Sequence, residues 1–234
     1  MPVLAFDTSL GAVSVAAGRR DIAGNWSMHG AWEQCRSGHA ERLLPMIASV
    51  LADAGLSPRD VRRVAVTLGP GTFTGVRTGV AVARAYALTA GAEVVGISSL
   101  AAMAAAVGSD VRRSAAQQPI AIAVDARRGE LYVELFDAAG GVLKGPELLS
   151  VAAAAERLAG ATWRVAGSAA GVLAEAAAKL GTTITWLDAT LEPDAGHLVG
   201  LAEVLPPLTS VAPLYLKPPD ALPQAGKSLP RRPS

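Results

Sequence analysis

The chain has 234 residues, enough to bury a core in one large lobe or two modest ones, and its 51% hydrophobic and 18% charged residues describe a folded protein. A formal net charge of +1 excludes a global basic field for nucleic acid, and a single cysteine, Cys35, excludes an internal disulfide and a metal site built on several thiolates. The opening MPVLAFDTS lacks a basic segment and is interrupted by Asp7, so it does not read as a signal peptide; the expectation is a cytoplasmic chain without a membrane segment.

Residues 3–6 read as a short apolar strand ending at Asp7, with 12–17 its hairpin partner across Leu10-Gly11. A faint third strand follows at 25–29. Residues 39–54 form an amphipathic helix whose Leu43, Leu44, Ile47, Val50 and Leu51 make one apolar stripe. Ser57-Pro58 breaks it, and 61–68 is the next strand. Gly69-Pro70-Gly71 then turns into a helix over 74–90, followed by a strand at 94–97.

The polar segment 108–119 reads as a joint. Beyond it come a buried strand at 120–124, a turn at Gly129, an alternating strand at 131–136 and a turn at Gly140-Gly141. Helices at 151–158 and 169–180 flank a strand at 163–166, and a last helix covers 194–204. The tail, 217–234, holds five prolines and little apolar mass and reads as extended or disordered. Two α/β halves, 1–107 and 108–216, each opening with a hairpin, predict a duplicated layout with a cleft between two lobes.

The glycine loop feeding a helix admits two readings. The first helical N–H groups lack partners and carry the positive end of the helix dipole, which suits an anion. Alternatively, Gly75, Gly79, Ala83 and Ala87 recur every four residues as a smooth ridge. Glycine inside a helix costs about 1 kcal/mol relative to alanine, so two on one ridge predict close approach by another helix of this chain or of a partner. Arg77 and Arg84 lie seven apart on another face. Arg127 and Arg128 join them as candidates for contacting a partner, a phosphate or nothing.

The block GPGTFTGVRTGVAVARAYALTAGAEVVGISSL resembles the signature region of the bacterial TsaB proteins, also called YeaZ. FDTSLGAVSVA, GHAERLLPMI, AVDARRGELYVELF and PLYLK resemble that family too, in its order, from about residue 3 to 217. Thr72 stands where the family usually has Ser, and Thr78 where it has a larger aliphatic residue.

The resemblance implies an α/β fold of the two-lobed actin-like, sugar-kinase-like type, with mixed sheets flanked by helices. It implies a non-catalytic subunit required for N6-threonylcarbamoyladenosine formation in tRNAs that read ANN codons. The partners it implies are the catalytic paralogue TsaD and the ATPase TsaE, with homodimers through first-lobe helices when the chain is alone. Contact with tRNA is then indirect, through the complex.

The residues bear on three kinds of chemistry. In TsaD a His-x-x-x-His pair binds metal; aligned from Gly96, those positions fall on Ser99 and Met103, neither of which replaces imidazole, so no bound transition metal and no cofactor are expected. For a nucleotide, Asp7, Thr8 and Ser9 with Asp125 are the candidates, but the late adenosine loop has only Gly167-Ser168-Ala169-Ala170-Gly171 to offer. Asp7 reads equally as a carboxylate satisfied in its own turn. For hydrolysis there is no Gly-x-Ser-x-Gly elbow and no His-Glu-x-x-His, and Cys35 has no defined histidine partner.

The expected association face comprises Leu43, Ile47, Val50 and Leu51 on the first helix and Gly75, Gly79, Ala83 and Ala87 on the second, two helices per protomer forming a four-helix bundle. The alternative is that both stripes face their own sheet. The competing functions are a self-sufficient ATP-using small-molecule kinase or carbamoyltransferase of the same fold, and a peptidase.

Overall fold

A computed structural model describes residues 1–35, 37–111 and 118–217. The tail expected to be extended or disordered lies, from 218 onward, outside the described residues, as do Arg112, Arg113 and the centre of the polar joint.

The first sheet contains β1 (Val3–Asp7), β2 (Ala12–Arg20), β3 (Trp26–Gln34), β4 (Arg63–Thr67) and β5 (Glu93–Ile97) in the order β3-β2-β1-β4-β5. The second contains β6 (Ile120–Asp125), β7 (Glu130–Phe136), β8 (Val142–Ser150), β9 (Thr162–Ala166) and β10 (Thr183–Asp188) in the order β8-β7-β6-β9-β10. In each sheet the first three strands are antiparallel and the last two join in parallel, so the expected duplication holds strand for strand.

Both sheets are covered on both faces, which is why their central strands are nearly continuous in apolar residues. Leu4 and Phe6 of β1 face α1 (His39–Asp53) and α2 (Phe73–Ala90), in one core with Leu43, Ile47, Val64, Val66 and Ala83. Val3 and Ala5 face the other way, onto α6 (Ala195–Val204) with Leu198 and Val199. In the second lobe α4 (Val151–Arg157) and α5 (Ala170–Lys179) cover one face around Leu158, Trp163 and Leu173.

The other face of that lobe is covered by α3 (Ser99–Val111), whose Leu100, Met103 and Val107 pack on Ile120, Ile122 and Phe136. Ala102 of the same helix belongs to the first lobe's core, so α3 serves both. The described chain also differs from a division at 107/108. Past β10 it returns to the first lobe: α6 packs on β1, β2 and β4, and residues 205–217 run on as a strap. Leu208 N–H donates to Val94 O at 2.7 Å and Leu214 N–H to Leu68 O at 2.7 Å. That return, together with Ala102 of α3, closes the apolar inner face of the first sheet, with Val3, Ala5, Ala65 and Val95.

The strands that the sequence shows least clearly are β3, β8 and β10. β3 and β8 are edge strands with mostly exposed or half-buried residues, and Gly145-Pro146 interrupts β8 near its register shift. An edge strand buries too little to require apolar alternation; its pairing comes from its neighbour.

Candidate functional site

Between the lobes opens a cleft of about 930 Å³. Its first-lobe wall is the start of α2 with Gly71, Phe73 and Arg77, and the strap supplies Tyr215 and Lys217. The opposite wall is the β6–β7 turn with Asp125 and Arg127, and Ser168 before α5. Glu192, ahead of α6, completes it by accepting from Gly11 N–H at 3.1 Å.

Polar ties cross between the lobes among the described residues. Lys217 Nζ, at the end of the strap, donates to Ala126 O at 3.0 Å and pairs with Glu130 at 2.9 Å. Ser98 Oγ donates to Glu134 Oε2 at 2.6 Å. The Gly11–Glu192 bond joins the β1–β2 turn to the segment that leaves the second sheet.

The loop after β1 is committed to holding the fold. Asp7 is fully buried: Oδ1 accepts from Ser9 N–H at 3.2 Å, from Ser9 Oγ–H at 2.6 Å and from the Thr67 hydroxyl, while Oδ2 has no partner. Burial pushes its carboxyl up to about 6, against the opposing pull of those hydrogen bonds and of His39. Thr8 Oγ–H donates to Gly75 O at 2.7 Å, and Thr72 N–H to Ser9 O at 2.7 Å. The turn and the start of α2 therefore meet backbone to backbone. A Cβ at Gly71 or Gly75 would fall inside the Ser9 or Thr8 carbonyl oxygen.

This geometry corrects the expected association face. Leu43, Ile47, Val50 and Leu51 are buried in the core of their own lobe, as are Gly75, Gly79 and Ala83, and Ala87 packs partly against the same core. A Cβ at Gly79 would meet Thr8 Oγ1 at 3.0 Å and Val66 at 3.3 Å. The small-residue ridge admits β1 and its loop, not a partner. Helical periodicity reveals that a face is smooth, but not which neighbour it fits. What the two helices leave exposed is a different set: Leu44 (57%) and Ala48 on α1, and Ala81, Ala85 and Leu88 (86%) on α2.

The other candidates divide. Asp125 is exposed on the cleft wall; its Oδ1 accepts Arg127 N–H and its N–H donates to Ser168 Oγ. Asp7, Thr8 and Ser9 are buried behind the cleft. Ser99 is buried and donates to Pro70 O at 2.5 Å, while Met103 is core against Gly167. His39 Nε2 lies 3.0 Å from Leu10 O. Thr72 caps α2 by accepting from Gly75 N–H, a task Ser performs equally, and Thr78 spends its hydroxyl on Thr74 O. Among the described residues no group of three or more His, Cys, Asp or Glu is placed to hold a metal, and no helix is long and apolar enough to cross a membrane.

Sequence reasoning missed the aromatic cluster at the cleft mouth. Phe73 and Tyr215 are stacked with centroids 5.7 Å apart, and the Arg77 guanidinium lies 3.5 Å over the Phe73 ring. Phe73 and Arg77 lie one turn apart on α2, but Tyr215 is 138 residues beyond Arg77, and the strap's return brings it to them.

Residues 33–185 match the family model described as TsaD, tRNA N6-adenosine threonylcarbamoyltransferase. The chain is 37% identical over 132 residues to tRNA threonylcarbamoyladenosine biosynthesis protein TsaB of Escherichia coli K12, covering 56% of this chain and 53% of that one. To the protein of the same name from Bacillus subtilis it is 31% identical over 145 residues, 62% and 58% of the two chains. These matches span little more than half the length of the curated relatives. Among solved structures, YeaZ from Pseudomonas aeruginosa superposes with a TM-score of 0.72 at 30% identity, covering 92% of this chain and 99% of that one. A Pseudomonas aeruginosa protein described by its similarity to peptidase YeaZ superposes with a TM-score of 0.73 at 29% identity and the same coverage.

Proposed function

The chain belongs to the TsaB/YeaZ family, and from that membership we propose that it is a non-catalytic subunit in the formation of N6-threonylcarbamoyladenosine in tRNA, pairing with a TsaD-like catalytic paralogue alongside a TsaE-like ATPase. The observation that carries the non-catalytic part is the state of Ser99 and Met103. Both stand where the catalytic paralogue is expected to hold metal, and both are buried in structural roles. Asp7 argues the same way against a self-sufficient kinase, since its one bonded oxygen is spent on Ser9 of its own loop and on Thr67 of β4.

Pairing is assigned to the outward faces of α1 and α2, with Leu44, Ala48, Ala81, Ala85 and Leu88. Exposed apolar residues on adjacent helices are what a helical interface buries, and a stable one removes about 1,200–2,000 Å² from water. Homodimer and heterodimer then compete for one face. Replacing Leu44 and Leu88 together by Glu is expected to weaken both pairings at least 100-fold in analytical ultracentrifugation. Because both side chains are exposed, the melting temperature stays within about 2 °C of the parent. Retained pairing in the double variant removes this face from the proposal.

Reconstitution tests the function itself. The full chain, the cognate TsaD and TsaE proteins, threonylcarbamoyl-adenylate and tRNA yield modified adenosine, and omitting this chain abolishes it. Unchanged modification without the chain overturns the subunit role. Turnover of ATP or a peptide by the chain alone overturns the non-catalytic one.

A further inference from the structure

Among the described arginines, Arg20, Arg42, Arg63 and Arg157 each sit against a glutamate, while Arg62 and Arg164 donate to the backbone carbonyls of Arg59 and Gln118 away from the cleft. Arg77 and Arg84 donate only to neutral oxygens, Tyr215 Oη at 2.6 Å and Val211 O at 2.8 Å, and the Arg127 side chain has no partner among the described residues. Arg84 and Arg77 follow the seam between α2 and the strap, about 10 Å apart along the helix. The seam ends at Phe73 and Tyr215, each 48% exposed, and Arg127 faces them across the cleft. Arg127 and Arg128 both hold positive φ, 65° and 58°, where glycine would be less strained.

We propose that this seam and the cleft mouth bind an unpaired RNA strand, with one base stacked on the Phe73–Tyr215 pair and backbone phosphates on Arg84, Arg77 and Arg127. Rings that offer a π-face, set beside uncompensated guanidinium groups, are the chemistry by which single strands are held, and a duplex hides the faces that would stack. Beside Arg77, Arg127 and Lys217 the cleft walls also carry Asp125 and Glu192, whose oxygens accept the amino groups of a base. The inference rests on the reading of the chain as part of a tRNA-modifying complex, and makes its contact with RNA direct.

The test is fluorescence anisotropy of the full chain with a labelled single-stranded oligoadenylate and a blunt RNA duplex of equal length, at several salt concentrations, with AMP and ATP as competitors. The single strand is expected to bind at least tenfold more tightly than the duplex, with log K falling against log salt at a slope of about −2 for three phosphates. Arg127→Gly and Tyr215→Leu each weaken it at least tenfold, and Arg127→Gly does so with an equal or higher melting temperature. Equal binding of the duplex, no saturable binding, or parent affinity in both variants overturns the inference. So does saturable competition by a mononucleotide, which would make the cleft a nucleotide site. The same variants in the reconstituted reaction separate the two readings. Modification that needs the chain but ignores both variants leaves the subunit role standing and removes the RNA path. Modification that ignores the chain removes the role, while the anisotropy still reports on RNA.

Discussion

Gly75→Ala is expected to destabilise the chain by at least about 4 kcal/mol, lowering the melting temperature by about 10 °C or leaving no soluble folded protein. The added methyl would occupy the place of the Thr8 carbonyl oxygen. Neither side has a flexible end to give way. Thr8 is held through Oγ to Gly75 O, and Thr72 N–H holds Ser9 O, so α2 and the β1–β2 turn must part together. Parting them uncovers Asp7, whose carboxylate depends on Ser9 and Thr67. Gly171→Ala in α5 is the control: nothing lies within 4 Å of its added methyl, and it is expected to be neutral or to stabilise by up to about 1 kcal/mol. Thermal and urea unfolding of the two variants decide the matter. Near-parent stability for Gly75→Ala would contradict the backbone contact.

Stability is expected to fall, not rise, between pH 5 and pH 8. Two buried carboxyls have their affinity for protons raised by burial, Asp7 to about 6 and Glu134 to about 7, in the latter case against the Ser98 hydrogen bond. In the unfolded chain both ionise near pH 4. Between about pH 4 and 7 the folded state therefore holds protons that the unfolded state has released. The contribution is fully present below pH 4 and is lost as pH rises through 6 and 7. At 1.36 kcal/mol per unit, each group contributes at most about 3 kcal/mol to this slope. Below pH 4 the trend reverses through carboxylates such as Asp21 and Asp60, whose hydrogen bonds to Asn25 and Ser57 hold them below the usual range. Urea midpoints from pH 4 to 9 measure the profile. Glu134→Gln keeps an acceptor for Ser98 and is expected to flatten the slope between pH 5 and 8. A parent profile that climbs over that range, or a Gln variant with the parent's slope, would show that the two carboxyls are not buried as described.

Much of the architecture could be read from residues near one another in the chain. The apolar run of β1, the alternation of β7, the stripe of α1 and the Gly69-Pro70-Gly71 turn into α2 each depend on local spacing, and each element begins and ends within a few residues of expectation. The repeated hairpin opening announced two lobes. The site was less legible. The ridge of Gly75, Gly79, Ala83 and Ala87 was visible as a ridge, and the close approach it implies is real. The neighbour that makes the approach is Thr8, and the turn carrying Thr8 gives no sign of facing α2 until β1 and β4 are paired.

What the sequence determined by itself was the fold class, the family resemblance and the exclusion of a thiolate metal site, since these rest on composition, period and ordered motifs. The tertiary structure decided which side of each helix is inside. It turned Leu43, Ile47, Val50 and Leu51 into core and left Leu44 and Leu88 facing out. It also returned α6 and the strap to the first lobe, bringing Tyr215 onto Phe73 and Lys217 across to Glu130. The physical reason is that a helix face or a strand end is defined by what covers it. Local periodicity states how much must be covered, and only the packed chain supplies the cover.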